Sequence, residues 1–305
     1  VKRPTSLATK GGSTLMLSLW ALILLSAVVM AWGMRIDREI EAANEANRAL
    51  EARALAHSGI AVARHPGIGA KNPFLHGHFG RGQSYRVTME SEGGRINLNY
   101  WLAGEDPQKI DYLSKYFALK GLNIQERKTL VDCLLDWVGP RREGRRIRGM
   151  AESPDYPIPH RPLQSLDELA QIAGSGPLVS KQGWQDELTL YSSGPLDLES
   201  VPARFLALVP GIGEQRAARF VKMREGRLKG SDNKDDHPFK DLPDALDCLG
   251  MSQTEVDSLS AFLKFRDPVT RIQSVGQSAA VIRTTEAVVN KEANGNTQIL
   301  LWIEN

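Results

Sequence analysis

Between Gly11 and Met34 no side chain can ionise, and the run Leu15-Met-Leu-Ser-Leu-Trp-Ala-Leu-Ile-Leu-Leu-Ser-Ala-Val-Val-Met-Ala-Trp32 is almost wholly apolar. Roughly 20 such residues in a helix span the hydrocarbon of a bilayer. Lys2, Arg3 and Lys10 precede the run, whereas Arg35-Ile-Asp-Arg-Glu-Ile-Glu41 on the far side balances its charges. The positive-inside rule then keeps the short leader in the cytoplasm and exports the chain beyond residue 35. Three readings fit such a segment: a cleaved secretory signal, an uncleaved signal anchor, or a helix retained after cleavage ahead of it at Lys10-Gly-Gly12. A secretory signal has a shorter apolar core and a small-x-small site behind it, which Ala31-Trp-Gly33 matches poorly.

The stretch behind the apolar run favours the third reading. No proline lies between Pro4 and Pro66, and residues 35–63 are rich in Ala, Glu and Arg. Ile36, Ile40, Ala43, Leu50, Ala54 and Ala61 recur at helical spacing, which predicts an amphipathic continuation with these residues on its apolar face. Some 50 helical residues make a rod of about 75 Å at the usual rise. A simple anchor needs no such rod; a filament subunit does.

Farther along, Pro66–Gly82 is glycine-rich and reads as a loop. Tyr85–Glu90 alternates as a strand, Glu92-Gly-Gly94 supplies a turn, and Arg95–Asn99 is expected to continue the pairing. From residue 105 the period becomes helical. Asp106–Leu119 ends at Gly121, and Asn123-Ile-Gln-Glu126 fits a capping box before Arg127–Val138. Gly139-Pro140 stops that helix, and Ser165-Leu-Asp-Glu168 opens another over Leu163–Ile172. Gln185–Leu198 has strand character, residues 201–266 form a second helical unit, and Ala279–Val289 with Thr297–Ile303 make a hairpin through Asn294-Gly295.

These features together resemble the type IV pilin and type II pseudopilin class, and most of all the protein K family of minor pseudopilins in the general secretion pathway. The leader ends Lys10-Gly-Gly12, and Ser13-Thr-Leu-Met-Leu-Ser-Leu-Trp20 matches that family's apolar start. Ser84-Tyr-Arg-Val-Thr-Met-Glu-Ser-Glu-Gly-Gly-Arg-Ile-Asn-Leu-Asn99 matches its strand–turn–strand signature, and Leu134-Leu-Asp-Trp137, Gly149-Met-Ala-Glu152 and Pro162–Leu169 come next in its order. The resemblance implies an α+β, type IV pilin-like fold with a long N-terminal transmembrane helix, a small antiparallel sheet and an inserted all-α, SAM-like or helix-hairpin-helix domain. The expected layout is a leader at 1–12, a transmembrane helix at 13–34, the pilin helix and first strands at 35–104, an inserted helical domain at 105–190, a second helical unit at 191–275 and a terminal hairpin at 276–305. It also implies cleavage between Gly12 and Ser13 by prepilin peptidase, methylation of the new terminus, a single-pass inner-membrane protein with a periplasmic domain, and partners in minor pseudopilins I and J, the major pseudopilin, the secretin and secreted substrates. Most pilins carry Glu at the fifth mature position, thought to neutralise a neighbour's amino terminus within the membrane; here Leu17 stands there. An apolar residue suits a subunit with none above it, so Leu17 fits a tip position.

Other chemistry is sparsely signalled. Two cysteines, Cys133 and Cys248, read either as buried thiols or, in an oxidising compartment, as a disulfide. Arg141–Arg148 holds five arginines in eight residues, where family members tend to carry Asp residues and some bind calcium; the basic replacement argues against metal there. Asp232, Asp235 and Asp236 could offer oxygens to calcium, but their spacing is no EF-hand. His76 and His78 are too few for a metal site. Phe205–Phe220 reads as a helix-hairpin-helix whose Pro210-Gly-Ile-Gly213 turn could present N–H groups to a DNA phosphate. Arg216 and Arg219 favour that reading, whereas Glu214 and a net charge of only +2 oppose it, so no nucleic acid is expected. No nucleophile elbow, HExxH, phosphate loop or dinucleotide glycine pattern points to an enzyme.

Overall fold

The computed structural model describes residues 11–80, 82–141, 146–150, 152–153, 155–230, 237–252, 255, 259–292 and 296–305, with side chains from Thr14 to Leu228 within the two longest helices. Helix α1, Gly11–Ala63, runs unbroken for 53 residues, about 80 Å at the usual rise. Gly33 does not interrupt it. Residues 66–82, expected as a loop, contain a 3-10 turn at Pro73–Leu75 capped by Asn72 and an edge strand β1, His76–Gly80. The glycines there allow pairing rather than prevent it, because β1 lies against only one neighbour, β2, Gln83–Ser91.

After β2 the chain leaves the sheet through a 3-10 turn at Glu92–Gly94. Strand β3, Ile96–Asn97, helix α2, Leu98–Leu102, helix α3, Pro107–Leu119, and helix α4, Ile124–Val138, come next. Short helices α5, Gly176–Val179, and α6, Trp184–Glu187, lead to strands β4, Leu188–Thr189, and β5, Leu196–Asp197. Helices α7, Ala203–Leu206, α8, Gly213–Gly230, and α9, Leu242–Leu249, precede β6, Leu263–Lys264. The chain then re-enters the sheet as β7, Val269–Ser278, β8, Val281–Lys291, and β9, Thr297–Glu304.

The main sheet has the order β1-β2-β7-β8-β9, antiparallel throughout. It is therefore an up-and-down meander into which residues 92–268 are inserted between two adjacent strands. Two strand expectations are corrected. Arg95–Asn99 does not extend the pairing of β2: Ile96 and Asn97 pair in parallel with Leu188 and Thr189, and Asn97 caps α2 through Tyr100 N–H. Gln185–Leu198 keeps only β4 and β5, since Trp184–Glu187 is helical and Gly194, at φ 123°, breaks the run. The terminal hairpin forms as expected; its turn at Asn294 and Gly295 lies outside the described residues.

Two apolar cores result. The inserted segment packs around Trp101, Tyr112, Phe117, Phe205, Phe220 and Phe262, all fully buried, and both expected helical units contribute to this one cluster. Trp101 stacks on Tyr112 with ring centres 4.1 Å apart. The Asn123 capping box forms, with Glu126 accepting from Asn123 N–H at 2.8 Å, and the Ser165–Glu168 box opens a 3-10 helix at Leu166–Gln171.

The second core lies between α1 and the sheet and holds Ile60, Ala63, Leu75, Tyr85, Val87, Ile272, Ala287 and Val289. The helix face that enters it is Ala52, Ala56, Gly59, Ile60 and Ala63. This corrects the expected face: Ile36, Ile40, Ala43, Leu50, Ala54 and Ala61 are all exposed. In an alanine-rich helix large apolar side chains are a poor guide, because close approach to a sheet selects the smallest side chains.

Candidate assembly site

Among the described residues, one helix is long and apolar enough to cross a membrane. Its first part stands clear of the rest of the protein: Leu15, Leu17, Met30 and Trp32 are 74%, 70%, 69% and 70% exposed. Burying such a surface in hydrocarbon is worth about 25 cal/mol per Å². Ser18, the polar residue nearest Leu17, returns its hydroxyl to Leu15 C=O at 2.9 Å, so it carries no unsatisfied donor into an apolar medium. Gly12 and Ser13 lie in the first turns of α1, their side chains outside the described residues. The helix continues as an exposed stalk, with Arg35 donating to Glu39 at 3.1 Å, until Ala52 meets the sheet.

Polar contacts fix the helix on the sheet at both edges of the apolar seam. Arg53 and His57 reach Glu304 at 2.5 and 3.0 Å, and His57 packs edge-on against Trp302. Glu51 accepts from Ser278 and Gln83 at 2.7 and 3.1 Å, and these bonds lower its pKa. The C-terminal strand thus holds the stalk in place.

A cleft of about 600 Å³ separates the other face of the sheet from the insertion, lined by Thr88, Glu90, Arg95, Glu187, Arg204, Arg271 and Glu286 among others. Most of its charges are mutually paired. Glu92, fully buried, accepts from Arg271 and lies 3.6 Å from Arg95; Arg271 also holds Glu286, and Arg204 and Lys120 hold Glu187 at 3.1 and 2.9 Å. No sequence signal announces this network, because its members are scattered singly over the chain.

The remaining sequence candidates have structural settings. Pro210–Gly213 is a tight connection with Gly211 and Gly213 at φ 78° and 72°; Ile212 is buried beneath it, and Arg216 turns back to Gly211 C=O at 3.4 Å. The next helix, α8, buries Ala217, Phe220 and Arg224, the last donating to Leu198 and Val201 C=O. His65 accepts from Gly67 N–H, and His160 meets Gly139 C=O. Among the described residues no group of three or more His, Cys, Asp or Glu is placed to hold a metal, and Asp232, Asp235 and Asp236 lie outside them. After Trp137, Asp136 and Glu105 are both engaged by Arg146.

Both cysteines are free. Cys133 is buried, its Sγ donating to Arg148 C=O, and burial with Asp136 and Asp132 nearby pushes its pKa up to about 11. A maleimide is expected to label Cys248, which is only partly buried, well before Cys133, since the thiolate is the nucleophile. Equal labelling rates in the folded protein would contradict this arrangement.

A membrane-length helix, seated by small residues on an antiparallel meander that carries a helical insertion, defines a pilin-like α+β protein. No protein-family model matches the chain, and no curated protein matches it. Among solved structures, the fold is similar to a chain of the GspK–GspI–GspJ complex from the enterotoxigenic Escherichia coli type 2 secretion system. The TM-score is 0.56 at 13% identity, covering 89% of this chain and 99% of that one.

Proposed function

We propose that this chain is a minor pseudopilin of type II secretion, of the protein K kind, acting as a structural subunit and not as an enzyme. The observation that carries this is the likeness in fold along 89% of the chain to a structure of that system. On this reading residues 13–34 anchor it in the inner membrane and the folded head lies in the periplasm. Minor pseudopilins I and J are its partners in a tip complex that primes the pseudopilus, whose growth pushes folded exoproteins toward the secretin.

Leu17 supports the tip position on physical grounds. An unpaired ammonium within a bilayer costs several kcal/mol, so an internal subunit needs an acidic partner at this depth for the subunit above. A subunit with nothing above it needs none, and Leu17 presents only hydrocarbon.

The mature amino terminus tests the proposal. Sequencing the protein from cells with and without prepilin peptidase is expected to give a start at Ser13 only when the peptidase is present. An unprocessed terminus in both, or a start near residue 34, would sink it.

A further inference from the structure

The apolar residues of the stalk stand on the side of α1 turned away from the sheet. At about 100° per residue, Ile36, Ile40, Ala43, Leu50 and Ala54 centre about 180° from the seated face of Ala52, Ala56, Gly59, Ile60 and Ala63. All five are exposed. With Asn47 in the one gap, they recur in alternating steps of four and three, the heptad of a seam between helices. The exposed charges Arg38, Glu41, Glu45 and Arg48 fall on the other side, in line with the seated face. The next heptad position, His57, is held by Glu304 and Trp302, so the free seam ends at Ala54. Toward the amino terminus the same phase passes through Gly33, Val29, Ser26, Leu22 and Leu19. Small residues such as Gly33 and Ser26 admit close approach of a second helix within a bilayer.

A strict heptad is the mark of helix against helix; lipid or a sheet imposes no such period. Its continuity into the membrane segment sets the occupant alongside α1 through the same bilayer. The assembly reading, on which this inference rests, sets it parallel. A second copy fits poorly. In parallel register Ala43 would face Ala43 and Ala54 would face Ala54, leaving gaps where good packing sets large against small. Asp37 and Glu51 border the seam on one side, with Glu51 bonded to the neutral groups of Ser278 and Gln83, so this flank calls for cations. Asn47, once covered, needs a hydrogen-bond partner, and a polar residue at such a position fixes register.

We propose that Ile36–Ala54 is a heptad seam for one parallel, membrane-anchored helix of a partner subunit. That helix presents large apolar side chains at the levels of Ala43 and Ala54, a polar one at Asn47, and cations beside Asp37 and Glu51. The test co-expresses the tagged full chain with minor pseudopilins I and J and measures how much of each is recovered with it in detergent. Ile40→Asp, which buries a charge in the seam, is expected to lower recovery of the partner roughly ten-fold. Glu45→Arg, on the side away from the seam, should match wild type. Asn47→Leu would strengthen a plain apolar seam, but here it is expected to cut recovery about five-fold, because the partner's polar group is left buried and unpaired. All three positions are exposed on the stalk, so the melting temperature of the head is expected to stay unchanged. Recovery that Ile40→Asp leaves intact, or that Asn47→Leu raises, overturns the inference and leaves the assembly reading standing. No recovery of either protein with wild type overturns both. Differently tagged copies of the chain, expressed alone, should not co-purify; copies that do, and that Ile40→Asp separates, make a second copy the occupant and overturn the inference equally.

Discussion

A Gly276→Ala variant is expected to lose about 3 kcal/mol of stability, at the upper end for overpacking by a single methyl group. Gly276 is on the central strand β7 and faces α1. A Cβ there would sit 2.0 Å from Ala52 C=O and 2.5 Å from Ala56 N. Those are helix backbone atoms, which no rotamer change can move aside. The helix itself must lift, opening the seam at Ala52, Ala56, Ile60 and Ala63, which are at most 1% exposed. Nearby, Gly59 also meets the sheet closely, but its nearest neighbours are the side chains of Ser274 and Val87, which can yield. Gly59→Ala should therefore cost less than Gly276→Ala. A thermal melt in detergent checks this, with a fall of roughly 5–10 °C expected for Gly276→Ala. Gly33→Ala, with nothing within 4 Å, is the control and should lose nothing. An unchanged melting temperature for Gly276→Ala would mean that α1 is not seated on β7.

That seam is also where sequence reading reaches its limit. The long helix is legible because its cause is local: no proline over some sixty residues, an uncharged run, then good helix formers. Which face it buries is not local. Ile36, Ile40 and Leu50 dominate any hydrophobic count of the stalk, yet they are exposed, and the buried face is chosen by the glycine on the opposing strand. The same distinction holds for strands. The pairing of β8 with β9 is a hairpin and is readable, whereas β7, the centre of the sheet, is not. Its partner β2 lies across the 92–268 insertion, and its run Val269–Ser278 mixes arginine, glutamine, serine and glycine with few large apolar residues. Helices within the insertion are again legible through their caps at Asp106 and Asn123.

For the candidate site the division is similar. The apolar run around Leu17 is visible as composition, because a membrane segment is defined by what it lacks. The Pro210–Gly213 turn is visible as a motif, but its packing role depends on Ile212 facing inward, which only the fold decides. The arginine run at 141–148 is visible as composition, yet that does not show that Arg146 is mostly buried, held at Asp136 with Arg148 N–H on Asp132. Charges that answer partners across a loop closure leave no periodic mark.

The joint between sheet and insertion is expected to fail first when Glu92 is removed. Glu92 has no exposed surface; its Oε1 accepts from Arg271 and lies 3.6 Å from Arg95. Burial works against the Arg271 charge, but Glu92 and Glu286 more than offset it, holding its pKa above the ordinary arginine value. Glu92→Ala leaves two guanidiniums, 15% and 18% exposed, with a buried carboxylate missing between them. Breaking such a pair from one side costs about 3–5 kcal/mol; because Arg271 keeps Glu286 and Arg95 keeps Glu90, about 3 kcal/mol is expected. The damage should be local. The chain crosses into the insertion at this residue, and Ser91 donates to Asp197 at 2.8 Å just before it. Gly93, just after, lies so tightly between Asp197 and Asp267 that a Cβ would sit 2.5 and 2.6 Å from theirs. Hydrogen exchange should therefore quicken at 91–97 and 264–272 while α3 and α4, packed in their own core, keep their protection. Glu92→Gln keeps the shape without the charge and should lie between wild type and Glu92→Ala. Removing Arg271 as well, as Arg271→Met, should return part of the loss, because the cost is that of an orphaned charge rather than of a missing contact. Additive losses in that double variant, or exchange that quickens uniformly over the insertion, would show that the network does not hold the joint.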